Sequence, residues 1–201
     1  MRIRYFIGCV VFACAAFVGS AARAASPDLA AMSLRADDLP SGFAEANHRF
    51  WTPQQLGAEG PWTLAQLKAW GYLRGYEIKF TRSVESGRPG QITSAVGSYG
   101  SSAGAAKALA ANLVECRKGP WKRLTLRVRI GDRGYLCRRT ANVEGTPVEL
   151  HFIVWRIGRL KGSVTVTNVV GQLGAPEAVL LGLVQARRMR CMHRRPRVGA
   201  C

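Results

Sequence analysis

Across 201 residues the chain carries 29 lysines and arginines against 12 acidic side chains, a formal charge of +17, with 48% hydrophobic residues and 6 cysteines. That length suits one core and not two ordinary domains, and no internal repeat or low-complexity linker divides it. The charge predicts encounters with polyanions such as nucleic acid, anionic lipid or envelope polymer, and says nothing about fold.

Taken in chain order, the first segment is an address. Arg2 and Arg4 precede an apolar run over residues 5–18, and Ala22-Arg23-Ala24 has the small-x-small form that signal peptidase accepts. Residues 1–24 therefore read as a cleaved signal peptide, with the mature chain starting at Ala25. The run is short for a bilayer span. Cys9 and Cys14 each follow a small residue, as a lipidated cysteine must, but neither has a full apolar region ahead of it. The expectation is an exported protein, periplasmic or secreted, with no stable membrane span after cleavage and a mature charge of about +14.

Ser26 and Pro27 predict a short helix over 26–32, stopped by the turn at 39–43. A strand follows over 43–51. Thr52-Pro53 opens a second short helix that Gly60-Pro61 ends, and 62–70 forms another, with Gly71 as its left-handed terminator. Tyr76, Ile78 and Phe80 alternate with Glu77, Lys79 and Thr81, the period of a half-buried strand. The turn 86–90 leads into a second strand over 91–99. Ser101 then caps a helix that turns Ala106, Leu109, Ala110, Leu113 and Cys116 inward. Strict alternation over 124–130 predicts a strand with one wet, cationic face bearing Arg127 and Arg129. Strands over 135–140, 148–155 and 160–170 continue the sheet as an antiparallel meander. A last helix from about Pro176 turns Val179, Leu180, Leu183 and Val184 inward and gathers cations at its C-terminal end, where the helix dipole favours them. The fold class is α+β: an antiparallel meander sheet with helices packed on one face, comprising a single domain over 25–190 and a basic, cysteine-containing tail over 191–201.

Four cysteines remain after processing, and an even count in an oxidising compartment predicts disulfides. Of the three connectivities, Cys116 with Cys137 and Cys191 with Cys201 is favoured. No pair has C-x-x-C spacing and His193 is the nearest imidazole, so no metal site is expected.

The segments Ala36-Asp37-Asp38-Leu39-Pro40-Ser41-Gly42-Phe43, Val96 to Tyr99 before an alanine-rich helix, Ile130-Gly131-Asp132, and Val154-Trp155-Arg156-Ile157-Gly158 together resemble exported bacterial proteins of unassigned activity with a PsbP-like or sensor-domain-like fold. The resemblance implies an architecture and carries over no catalytic residue.

Two function classes follow. One is an exported non-catalytic module binding an unknown protein, ligand or anionic envelope component, without cofactor. Its candidate ligand residues are Arg127, Arg129, Arg138 and Arg156 near Trp121 and Tyr135, a cationic and aromatic combination that also serves single-strand binders. The tail residues Arg187, Arg188, Arg190, Arg194, Arg195 and Arg197 form a candidate anion site. The other class is a secreted hydrolase-type enzyme using Glu149 and His151 on one strand face, a carboxylate beside a histidine being a recurrent catalytic element. No glycine-rich phosphate loop follows a strand.

Overall fold

In the computed structural model, residues 27–83, 90–143 and 145–194 are described. The expected signal peptide, residues 86–89 of the expected turn, Cys201, Arg195 and Arg197 lie outside them. The chain order is β1 (Ala44–Trp51), α1 (Pro53–Glu59), α2 (Leu64–Ala69), β2 (Tyr72–Arg82), β3 (Gly90–Tyr99), α3 (Ser102–Glu115), β4 (Trp121–Leu124), β5 (Arg133–Val143), β6 (Thr146–Ile157), β7 (Leu160–Val169) and α4 (Ala175–Arg194). The strands form one antiparallel sheet in the order β1-β2-β3-β7-β6-β5-β4. It consists of two meanders, β1 to β3 and β4 to β7, seamed where β3 pairs with β7.

Period-2 alternation decides what each face carries. Ile92, Val96, Ile153, Trp155, Ile157, Leu160, Val164 and Val166 meet Leu181, Ala186, Met189 and Met192 of α4, with Leu29, Met32 and Leu34 from the N-terminal segment. The neighbouring strand positions point the other way: Tyr135 and Val154 meet Leu109 of α3, and Tyr99 meets Leu67 of α2 and Ala105 of α3. Helix packing on one face thus describes α4; α1, α2 and α3 lie on the other. The disulfide Cys116–Cys137 ties the end of α3 to β5, as expected. Cys191 is also disulfide-bonded.

Three local expectations change. Within the helix expected over 26–32, residues 29–32 form turns, with a 3-10 turn following at Ala36–Asp38. The alternation over 124–130 is not a strand beyond Leu124: β4 pairs only with β5, and that pairing ends at Leu124↔Leu136. The following residues leave the sheet edge, packing Leu124 and Leu126 against the main core and burying Ile130. The apolar faces of α3 and α4 are also rotated. Gly104, Ala105, Ala108 and Leu109 are the buried positions of α3, and Ala106 and Ala110 are exposed. In α4, Leu180 and Leu183 face outward, at 62% and 36% exposed, while Gln185 is fully buried. Gln185 is drawn in by polar partners: Ser94 Oγ donates to its Oε1 at 3.0 Å, its Nε2 donates to Ala95 O at 3.1 Å, and Leu34 N donates to Ser94 Oγ at 3.1 Å. These bonds join α4, β3 and the N-terminal segment, and satisfying a buried amide outweighs the apolar gain available to Leu183. α4 runs through the domain boundary expected at residue 190, and Met192 belongs to the core.

Candidate functional site

On the sheet face away from α4, the adjacent strands β2, β3 and β7 carry mostly small side chains, with a few long charged ones among them. Gly75, Gly97 and Lys161 form one cross-strand row, Glu77, Ala95 and Ser163 the next, and Lys79, Thr93 and Thr165 a third. The middle of this face is therefore low, while Trp51, Trp62, Tyr72, Tyr99 and Phe152 rise at its margins. Between them opens a cleft of about 240 Å³, walled also by Leu56, Pro61 and Leu67 from the α1–α2 region and by Asn112 of α3.

The walls are held by local chemistry. Thr52 with Gln55 and Thr63 with Gln66 form capping boxes that fix the starts of α1 and α2. Trp62 packs edge-on against Trp70 at 5.1 Å between ring centroids, and Tyr72 against Tyr99 at 5.5 Å. The Tyr72 ring lies so close to the sheet that a Cβ at Gly75 would sit 2.3 Å from its Oη. Burial, reinforced by Glu77, raises the Tyr72 phenol, and burial with Tyr72 raises that of Tyr99.

Two charges line the cleft, and they differ in company. Glu77 stands 3.8 Å from Arg49 and 3.7 Å from Lys79; Arg49 also bonds Glu59 at 2.8 Å and stacks 3.4 Å from the Trp51 ring centroid. Lys161 has no carboxylate partner among the described residues: its Nζ donates to Asn112 Oδ1 at 2.8 Å, and burial lowers its ammonium to about 8. The folded state thus releases this proton more readily than the unfolded chain. Stability should rise between about pH 8 and pH 10, by about 1 kcal/mol per unit, as folded Lys161 becomes neutral while the unfolded lysine stays charged. Above pH 10 the raised tyrosines reverse the slope. Urea midpoints at pH 7, 8, 9 and 10 check this, and Lys161→Met should flatten the rise.

A second polar group lies beneath α4, on the other face. Glu149 and His151 do share a strand face, with His151 Nε2 3.7 Å from Glu149 Oε2 and Arg138 Nη1 3.4 Å from Glu149 Oε1. His151 is only 2% exposed, and burial lowers its pKa, against the opposing pull of Glu149. Among the described residues, its Nδ1 and both side-chain polar atoms of the neighbouring Asn168 have no hydrogen-bond partner. The cleft reaches neither residue. A catalytic histidine needs access to substrate, and this one is enclosed.

The structure does not bring together the four arginines expected to share a ligand surface. Arg138 pairs with Glu149 on the α4 face, whereas Arg156 projects from the opposite face to Asp132 at 3.4 Å and to the Gly158 carbonyl at 3.3 Å. Arg127 and Arg129 are exposed on the segment after β4. Arg129 lines a separate groove of about 480 Å³ with Arg123, Thr125, Val128 and Gly134, and Arg123 and Arg133 both approach the Tyr135 ring. Of the tail set, Arg188 is engaged by Asp38 in a bidentate pair and by the Ser33 carbonyl at 3.1 Å. Arg190 donates to Gly131 O at 3.4 Å, Arg187 is exposed, and Arg194 ends α4.

Sequence reasoning missed the cleft. Its trace was present in the small alternate positions Thr93, Ala95 and Gly97, and in Lys161, Ser163 and Thr165, but only strand order places these two series side by side. Among the described residues, no group of three or more His, Cys, Asp or Glu side chains could hold a metal ion, and no helix is long and apolar enough to cross a membrane.

No family model and no curated protein matches the chain. Two solved structures are similar to it. The extracellular domain of PknH from Mycobacterium tuberculosis aligns with a TM-score of 0.51 at 9% identity, over 81% of this chain and 95% of that one. A protein from Bacteroides thetaiotaomicron aligns with a TM-score of 0.40 at 15% identity, over 71% of this chain and 40% of that one. The first likeness is one of fold alone, and it establishes that the α+β sheet described here is an architecture shared with an extracellular domain.

Proposed function

We propose that this chain is an exported, non-catalytic binding domain that holds a small ligand in the cleft between the β2–β3–β7 surface, α1–α2 and α3. The observation that carries the reading is a floor too small to fill the space beneath walls of fixed aromatic rings. Protein interiors normally close such gaps, and a concave site with rings and a few polar groups is the usual form of a small-molecule site. Export is supported by the leader pattern of residues 1–24 and by the extracellular origin of the PknH domain, and the PsbP-like kinship suggested by 36–43 is part of the same reading. The enzyme alternative is weakened by the enclosure of His151.

Ala95 faces the cleft without supporting its walls, so Ala95→Trp should fill the space and leave the rest of the fold in place. Ligands found by thermal-shift screening of the full chain are expected to lose at least tenfold in affinity for this variant by calorimetry. Equal affinity for both proteins would place the ligand elsewhere.

A second surface is favoured by the convergence of Arg123 and Arg129 on one groove, which no carboxylate lines among the described residues. We read it, with exposed Arg127 and Arg187, as a contact for an anionic envelope polymer. Polyphosphate binding should then fall by orders of magnitude over a few-fold rise in salt, and the double variant Arg123→Ser, Arg129→Ser should lose most of it in a filter-binding assay. Salt-insensitive binding would count against the reading.

A further inference from the structure

We infer that the ligand of the cleft is a small aromatic monocarboxylate whose carboxylate is received by Lys161, a refinement that rests on the cleft being the binding site. Lys161 is half-buried, projects from the cleft floor beside Gly97, and among the described residues bonds only the Asn112 amide. An ammonium has three donor hydrogens, so two are left for a guest. A buried cation without an anion is costly, and the cost is recovered when an anion arrives in the same low-dielectric site.

The other charged and titratable groups facing this row do not supply that anion. Glu77 of β2 is shared between Arg49 and Lys79, and Arg156 of β6 is held by Asp132. Tyr72 and Tyr99 are kept neutral by burial. A single ammonium flanked by one amide suits a monoanion; a phosphoryl group calls for several converging donors or a guanidinium fork. The remaining surface fixes the body of the guest. Trp62, Tyr72, Tyr99 and Phe152 offer ring faces and edges, and the cleft volume of about 240 Å³ is below the roughly 300–1,000 Å³ of sites for drug-sized ligands. One ring or a fused pair therefore fits.

The probes are benzoate, indole-3-carboxylate and 2-naphthoate, each against its neutral primary amide, titrated into the full chain with tryptophan fluorescence and calorimetry as readouts. At pH 7 at least one carboxylate is expected to bind tenfold or more tightly than its amide. At pH 9 the free lysine is mostly neutral, so carboxylate binding should weaken by about tenfold and take up a proton, visible as an enthalpy that depends on the buffer. The amides should show neither effect. Lys161→Met should erase the preference for carboxylate. Should that variant fold poorly, Asn112→Asp serves independently: it supplies an internal carboxylate to Lys161 and should abolish the preference while amide binding persists. Wild-type protein binding acids and amides alike, or a preference surviving both substitutions, overturns the Lys161 assignment and leaves the cleft reading intact. If no probe binds wild type, the aromatic-monocarboxylate assignment is overturned and the cleft reading stands; if the probes bind Ala95→Trp as well as wild type, the cleft reading falls and this inference with it.

Discussion

Trp155→Ala is expected to destabilise the fold by about 3–5 kcal/mol, the range for removing a large buried aromatic side chain. Trp155 is fully buried and heads the large side chains of the core. The surrounding backbone is shaped to its indole: a Cβ at Gly162 would lie 2.6 Å from Trp155 Cζ2, and one at Gly131 would lie 3.0 Å from Cδ1. Collapse of the cavity is opposed because the ring packs between α4 and a sheet in which β6 is held to β5 and β7 by continuous hydrogen-bond ladders. The indole Nε1 has no hydrogen-bond partner among the described residues, so Trp155→Phe should cost much less than alanine. Phenylalanine sheds the unsatisfied donor, worth about 1–3 kcal/mol, and this offsets part of the lost volume. Urea unfolding with an unchanged slope measures both variants, and near-equal losses would show that the orphaned N–H carries no penalty.

Removing the Cys116–Cys137 bridge should cost about 3 kcal/mol, the loop-closure value for a sequence separation near that of this pair, which is 21 residues. The double variant Cys116→Ser, Cys137→Ser is the proper test, because a reductant would also open the disulfide at Cys191. Both cysteines are buried, at 3% and 0% exposed, so the serine hydroxyls add a desolvation cost. A melting temperature within a degree of wild type would mean that α3 is held to β5 by packing alone.

The sequence made the order of elements legible wherever local chemistry decides. Thr52-Pro53 and Ser101 announced helix starts through their caps, and Gly71 and Gly158 announced reversals through the left-handed conformation that they adopt. It misled where a distant partner decides. Leu124, Leu126, Val128 and Ile130 alternate as a strand does, but the ladder with β5 stops at Leu124↔Leu136, and Leu126 and Ile130 turn into the main core instead. The phase of α4 depended on Ser94, far away in the chain, drawing Gln185 inward. The site followed the same division: the Glu149–His151 pair on one strand was legible, whereas the cleft is assembled across the β3–β7 seam and its lysine gains its properties from burial alone.

That seam also orders the events of synthesis. Within each meander every strand pairs with its neighbour in sequence, but β3 cannot find its second partner until β7 has been made. During vectorial emergence of the chain, β3 is therefore an open sheet edge for the whole interval in which α3 and β4 to β6 appear, the condition under which edges recruit foreign strands. The residues that keep the cleft empty are the ones at stake in that interval, since Thr93, Ala95 and Gly97 present little side chain to obstruct a wrong strand. A cell making this protein has reason to keep the chain extended or chaperoned until β7 arrives and the β3 edge is covered.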